Sequence, residues 1–294
     1  PAEEPAEEPA EEPAEEPAGE SASGIEVTQL PIEGDVDEGH YKIIGAEAFK
    51  DSDDKDAVRF YYEFTNNSDS PMSAWWNCTL DAEQEGYELV TTYPHYDEYA
   101  PEDGNDSLNV YPGVTIRCIE EYSFKPTGGE LTFTISDYGD DPLTAVFDPA
   151  NLPGAPEDTW EPEPITDPQT YADYPTSFSS ENLDLEITDV EVVDGYDGDV
   201  LRVYFTITNN TDEADDPFML TTLRAYQDGI SLNYGSPRNR ADSDDMVYED
   251  IEPGQSVDFS YCWTLRTASP VEVTVSDYYN YGSDVDAAAI VTLE

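Results

Sequence analysis

The feature that most constrains this chain is that it contains itself twice. Phe60 to Asp69 (FYYEFTNNSD) returns 143 positions later as Val203 to Asp212 (VYFTITNNTD), and Gln84-Glu85-Gly86 returns at the same offset as Gln227-Asp228-Gly229. Pro112-Gly113 reappears as Pro253-Gly254 at an offset of 141, and Leu131 to Tyr138 (LTFTISDY) as Val271 to Tyr278 (VEVTVSDY) at 140. A drift of three residues is what small loop deletions produce. The fold must therefore close within roughly 120 residues and be built twice, as tandem domains and not as a solenoid of short units.

The repeated segments read as strands. Val58, Phe60, Tyr62 and Phe64 alternate with Arg59, Tyr61, Glu63 and Thr65, and Leu201, Val203, Phe205 and Ile207 alternate with Arg202, Tyr204, Thr206 and Thr208. The first set of each is expected to face a core. Ile116, Cys118, Tyr122 and Phe124 alternate in the same way, with Glu120 as an exception that the second copy repairs through Val257, Phe259, Tyr261, Trp263 and Leu265. Long helical periodicity is missing. Seven or eight short strands per copy, punctuated by Asn-Asn-Ser-Asp, Asp-Gly and Pro-Gly turns, predict an all-β chain of two tandem antiparallel β-sandwiches.

Outside the copies the composition changes. The first twenty residues give Pro-Ala-Glu-Glu four times and then Pro17-Ala18-Gly19-Glu20. Proline every fourth residue with repelling glutamates predicts an extended, disordered acidic spacer over 1–24. A second Pro-rich acidic stretch, 149–182, reads as a linker between sandwich one (25–148) and sandwich two (183–294). Sixty-eight acidic side chains stand against eleven basic ones, for a formal net charge of -57. The first copy carries 28 acidic and 6 basic residues and the second 24 and 5, so each domain is strongly acidic by itself. Such surfaces repel phosphate backbones and anionic headgroups, so no nucleic-acid partner is expected. No run of 18 apolar residues occurs. The chain begins at Pro1 without a methionine, and a removed signal peptide, a lipidated cysteine upstream of Pro1 or simple truncation fit that equally. Contact with a membrane is expected only through such an anchor.

A strand ending in Thr-Asn-Asn-Ser/Thr-Asp, an aromatic segment (Trp75-Trp76-Asn77 or Phe218-Met219-Leu220), Gln-x-Gly, and Pro-Gly opening a long strand together resemble a known group. They are similar to the immunoglobulin-like, telokin-like domains of uncharacterised Gram-positive bacterial cell-surface lipoproteins, over residues 40 to 148 and 183 to 294. The resemblance implies immunoglobulin-like sandwiches and an extracellular, cell-surface location. It brings no catalytic residues with it, and the lipobox cysteine it would imply is absent from this chain.

Several constellations invite a chemical reading. Asp51-Ser52-Asp53-Asp54-Lys55-Asp56 and Asp194-Gly195-Tyr196-Asp197-Gly198-Asp199 sit at equivalent places before the repeated strand. Calcium needs six to eight oxygens, and Asp194, Asp197 and Asp199 make the better metal candidate because Lys55 intrudes on the first loop. Asp and Gly are also what a hairpin turn selects. Catalytic motifs are absent: His40 and His95 are the only histidines, and no G-x-S-x-G, H-E-x-x-H or phosphate-cradling loop occurs. Neither an enzyme nor a cofactor is expected.

The divergent loops are the candidate binding surface. Tyr93, His95, Tyr96 and Tyr99 occupy in the first copy the place that Tyr234, Arg238 and Arg240 occupy in the second. Loops that differ on a shared scaffold are where sandwiches carry recognition, and tyrosine supplies contact area at low entropy cost. The alternative is that these tyrosines pack over a sandwich end and the arginines pair with local carboxylates. Cys78 and Cys118 share a phase toward one core, as a disulfide or as two free thiols, whereas Cys262 is out of phase and expected to be unpaired. The sequons at Asn66, Asn77, Asn105 and Asn209 matter only in a glycosylating host. The expectation is a non-enzymatic secreted or surface-anchored protein with a protein or glycan partner at the cell surface. A carbohydrate-binding or calcium-assisted adhesion module using the tyrosine loops is the alternative.

Overall fold

In the first copy the alternating segments pair into two four-stranded sheets, all ladders antiparallel, in a computed structural model that describes residues 24–137, 142–280 and 285–293. The acidic spacer thus lies outside the described residues apart from Gly24. One sheet runs β1 (Ile32–Val36), β2 (Gly39–Lys50), β3 (Asp56–Asn66) and β6 (Thr115–Ser123), in that order. The other runs β5 (Tyr87–Glu88), β4 (Thr79–Gln84), β7 (Leu131–Ser136) and β8 (Leu143–Phe147). Phe60 of β3 stacks on Phe133 of β7 with centroids 4.6 Å apart, which fixes the sheets face to face. Both rings are fully buried, and burial of such a side chain contributes about 1.5–3 kcal/mol.

The second copy repeats the order strand for strand. Its sheets run β9 (Ser177–Ser179), β10 (Leu183–Asp194), β11 (Asp199–Asn209), β14 (Ser256–Thr264), and β13 (Ile230–Ser231), β12 (Thr221–Gln227), β15 (Val271–Asp277), β16 (Ala287–Val291). Even the irregularities recur: the β2–β3 register slips between Ile43 and Gly45, and the β10–β11 register between Ile187 and Asp189. The chain is an all-β protein of two tandem antiparallel sandwiches.

The repeated polar residues turn out to be ties. Asn66 donates through Nδ2 to the carbonyls of Ser70 and Val110, both at 2.8 Å, and Asn209 does the same to Glu213 (2.8 Å) and Ile251 (2.9 Å). Gln84 Nε2 reaches the carbonyls of Lys125 and Gly129, and Gln227 Nε2 those of Thr267 and Ser269. The following pairs, Glu85-Gly86 and Asp228-Gly229, both have positive φ, the left-handed conformation that a tight two-residue hairpin requires. All four sequon asparagines, Asn66, Asn77, Asn105 and Asn209, are buried, so they serve packing and present nothing to a glycosyltransferase.

Residues 149–176 lie along the protein surface as a strap, and Ser177–Ser179 at the end of the expected linker form strand β9 of the second sandwich. Gly154 N donates to Ala46 O at 2.8 Å, Asp158 pairs with Arg117, and Trp160 packs against the first core. Past the strap the copies dock. The β12–β13 turn inserts Ile230 into the first copy's core cluster, where it is fully buried. Val110 and Ile230 form an antiparallel bridge, with Tyr111 N to Gly229 O and Ser231 N to Asn109 O both 2.8 Å. Tyr111 packs on Tyr226 with tilted rings 4.6 Å apart, Tyr171 of the strap meets Tyr111 edge-on, and Arg266 Nη1 reaches Asn105 Oδ1 at 3.1 Å. Gly229 is required here, since a Cβ would come within 2.7 Å of Val114.

Candidate functional site

The exception in the β6 alternation marks a place where the two copies differ in shape. Glu120 pairs across the ladder with Phe60, so it stands on the core side of the sheet. Around it opens a cleft of about 640 Å³, lined by Trp75, Trp76, Asn77, Cys78, Tyr122 and Glu120, with Asp37 and Asp137 among the further lining residues. Trp75 and Trp76 belong to the short helix Ala74–Asn77 and are 55% and 84% exposed, an unusual position for two indoles. In the second copy Glu120 becomes Tyr261, which packs on Trp263 at 4.9 Å and meets Tyr234 edge-on at 5.4 Å. Aromatic side chains fill there the volume that the first copy leaves open.

Burial pushes the Glu120 carboxyl up to about 8, helped by the negative charges of Asp106 and Glu121. Tyr122 spends its hydroxyl on Leu80 O, and Asn77 spends both Nδ2 protons, on Val36 O and on Tyr41 Oη. Asn77 Oδ1 is buried and accepts from nothing. The Cys78 thiol is raised by burial to about 11 and Cys118 higher still, so neither supplies thiolate at neutral pH. Cys78, Cys118 and Cys262 are all free thiols, and the disulfide alternative for Cys78 and Cys118 is not formed.

The loops singled out from sequence lie elsewhere. Tyr93, His95, Tyr96 and Tyr99 do not line the cleft. Their loop is tied to the β2–β3 turn by Ser52 N to Tyr93 O (2.9 Å) and by His95 Nε2 beside Asp54 (3.6 Å), and Arg59 donates to Glu98 O. Tyr96, 87% exposed, meets Tyr99 edge-on at 6.1 Å. In the second copy Arg238 donates to Gly195 O at 2.8 Å and lies over the Tyr196 ring, while Arg240 pairs with Asp245. Both arginines are thus engaged locally, and Tyr234 packs on Tyr261.

Among the described residues no group of three Asp, Glu, His or Cys side chains is placed to hold an ion, Asp194, Asp197 and Asp199 included. The Arg238 guanidinium occupies that loop instead. In the first copy Asp51 is buried, and its carboxylate accepts from Asp53 N, Lys55 N and Thr92 Oγ1, which consumes it as a turn-former.

A further repeated constellation carries no turn signal and escaped the sequence reading. Arg59 and Arg202, on the face opposite the core, are both buried. Arg59 pairs with Glu47 at 3.1 Å and Glu121 at 2.7 Å, and Tyr61 donates to the same Glu47 oxygen. Arg202 pairs with Glu191 at 2.6 Å, which also accepts from Tyr204, and with Asp244 at 2.9 Å. The second carboxylate comes from strand β6 in one copy and from the turn Asp242–Asp245 in the other, because Cys262 stands where Glu121 would. Two equivalent buried ion pairs are architecture shared by both copies, whereas the cleft belongs to one.

Comparison with known proteins matches the duplication. A family profile described as "Domain of unknown function (DUF5067)" matches residues 20–137 and again residues 162–277. The chain belongs to the DUF5067 family. Its two DUF5067 copies correspond to the two sandwiches. Among solved structures, a candidate lipoprotein from Staphylococcus aureus subsp. aureus NCTC 8325 is similar at 14% identity with a TM-score of 0.33, over 40% of this chain and 88% of that one. A candidate lipoprotein from Bacillus subtilis subsp. subtilis str. 168 is similar at 17% identity and a TM-score of 0.31, over 40% of this DUF5067 chain and 38% of that one. Likenesses this loose carry no argument about function. No curated protein matches. No helix among the described residues of this DUF5067 protein is long and apolar enough to cross a membrane.

Proposed function

We propose that this chain is a non-enzymatic interaction protein of the cell envelope, secreted or surface-anchored, that displays two immunoglobulin-like domains and binds its ligand in the cleft of the first. The observation that carries the reading is the difference between the copies. One scaffold is built twice, with the same ties and the same buried ion pairs, and only the first copy leaves two tryptophans exposed around an open cleft. Such concavities with aromatic walls and a few polar groups are the usual form of a ligand site.

The strand order supports the immunoglobulin-like assignment. With β2, β3 and β6 taken as strands A, B and E, and β4, β5, β7 and β8 as C, C′, F and G, the sheets read A-B-E, with β1 added beside A, and C′-C-F-G. The non-enzymatic reading draws on the state of the reactive groups. Both histidines sit beside surface carboxylates, His40 at 2.8 Å from Asp35, and the first copy's thiols are held protonated. Location outside the cell rests on the acidic repeat spacer and the large negative charge of each domain, both suited to extension and solubility.

The test is retention of the full chain on immobilised cell-wall polymers and extracellular proteins, compared with Trp75→Ala/Trp76→Ala. Saturable retention lost in the double variant is expected, and equal retention of both proteins refutes the cleft as the binding site. A second reading places binding on the exposed Tyr96–Tyr99 pair. Loss of retention in Tyr96→Ser/Tyr99→Ser, with the tryptophan variant unaffected, favours it.

A further inference from the structure

We infer that the first copy's cleft takes a primary ammonium group carried on an alkyl chain, of the kind a lysine side chain bears. The inference rests on the cleft being a binding site and names its ligand. Its basis is an unpartnered carboxyl, Glu120, on the core side of the sheet in a cleft that also holds Asp37, Asp137 and two indoles. The N–H groups of Asn77 and the hydroxyl of Tyr122 are already committed to protein acceptors. The Glu120 carboxyl in the lining makes no hydrogen bond among the described residues. A partly buried carboxyl left without a partner carries a desolvation cost that a ligand supplying N–H donors removes.

Charge points the same way. The groups acting on Glu120 are Asp106, from the turn Asn105–Ser107, and Glu121 on its own strand, while Asp37 and Asp137 line the cleft mouth. The thiols of Cys78 and Cys118 and the phenols of Tyr62 and Tyr122 face it as well, all held neutral by burial. No Lys or Arg lines the cleft. A cation entering meets carboxyls and two indoles, the best aromatic partners for an ammonium. A neutral polyol would satisfy the acceptors and leave the charge uncompensated. A quaternary ammonium would engage the indoles and offer no donor to Glu120.

Entry of the cation shifts Glu120 to its ionised form, so binding releases a proton from that carboxyl to solvent. With the free carboxyl titrating near 8, affinity rises about 20-fold between pH 6.5 and pH 8.5 while an alkylammonium stays protonated.

The experiment titrates the full chain with n-butylammonium, 1-pentanol, tetramethylammonium and N-acetylglucosamine at both pH values, in roughly 0.15 M salt to screen the general surface charge. Tryptophan fluorescence and calorimetry are the readouts. The expected result is saturable butylammonium binding that tightens about 20-fold with pH, weaker tetramethylammonium binding and none of pentanol. Trp76→Ala should weaken the site, and Glu120→Gln should weaken it and flatten its pH dependence, with thermal melts confirming that both fold. Absence of butylammonium binding up to about 100 mM, equal binding of pentanol, pH-independent affinity, or wild-type behaviour of Glu120→Gln each overturns the inference. Sugar binding that is lost in Trp76→Ala but indifferent to pH overturns the ammonium assignment and leaves the cleft a binding site. No dependence of any ligand on Trp75 or Trp76 removes both.

Discussion

Replacing Ile230 by alanine should uncouple the two copies. The side chain is fully buried, and it belongs to the second copy while packing in the first copy's core. Removing three carbons at about 0.8 kcal/mol each gives about 2.4 kcal/mol, and incomplete collapse around the gap raises the loss to about 2.5–4 kcal/mol. Because the contact lies between copies, the loss falls on their docking. The chain supplies its own control: Tyr87 holds the same place in the first copy's turn and is 76% exposed, so Tyr87→Ala should change stability by no more than about 0.5 kcal/mol. Urea unfolding followed by fluorescence and circular dichroism should show coincident transitions for the wild type and Tyr87→Ala, and separated transitions for Ile230→Ala. Small-angle scattering should report a larger radius of gyration for Ile230→Ala alone. Coincident transitions and unchanged scattering in Ile230→Ala would refute the claim that this residue locks the copies together.

Three further outcomes follow from the same contacts. Glu120, held up at about 8 by burial, favours the native state while protonated; that stability is complete below about pH 4.5 and is lost as pH rises through 8, so Glu120→Gln should match the wild type at pH 4 and exceed it by about 2–4 kcal/mol at pH 9 in urea titrations. Arg202→Ala strands the buried Asp244 carboxylate and should cost about 3–5 kcal/mol, part of which Asp244→Ala recovers in a double-mutant cycle. Asn209→Ala, which unties two buried carbonyls, should cost about 1–3 kcal/mol and lower the melting temperature, as should Asn66→Ala in the first copy.

The duplication and the all-β class were legible because alternation and turn residues are local signals. The Val58 to Phe64 pattern states which face is buried, and Gln-x-Gly states where the hairpin turns. Glu120 was visible as a break in its strand, yet its meaning depended on Trp75 and Trp76 approaching from 44 positions away, which no local period records. Arg59 and Arg202 read as outward-facing residues, and so they are. Their burial comes from neighbouring carboxylates on other strands and from the long loops that fold over the sheet, a tertiary effect. The tyrosine loops are divergent segments in the sequence, and composition alone does not say that Tyr234 packs against Tyr261 while Tyr96 stays in solvent.

The strap between the domains has a mechanical consequence. It is fastened at intervals to both bodies, through Gly154 and Asp158 on the first and through Ile165 N to Asp228 and Pro175 O to Ala288 N on the second. These few bonds are weaker than any of the long antiparallel ladders. Pulled from its ends, the protein would surrender this stored length as soon as the Ile230 contact between the copies opens. The 28 residues of 149–176 can span up to about 90 Å, so a tethered molecule would lengthen in a single early step while both sandwiches stayed folded and any ligand stayed held.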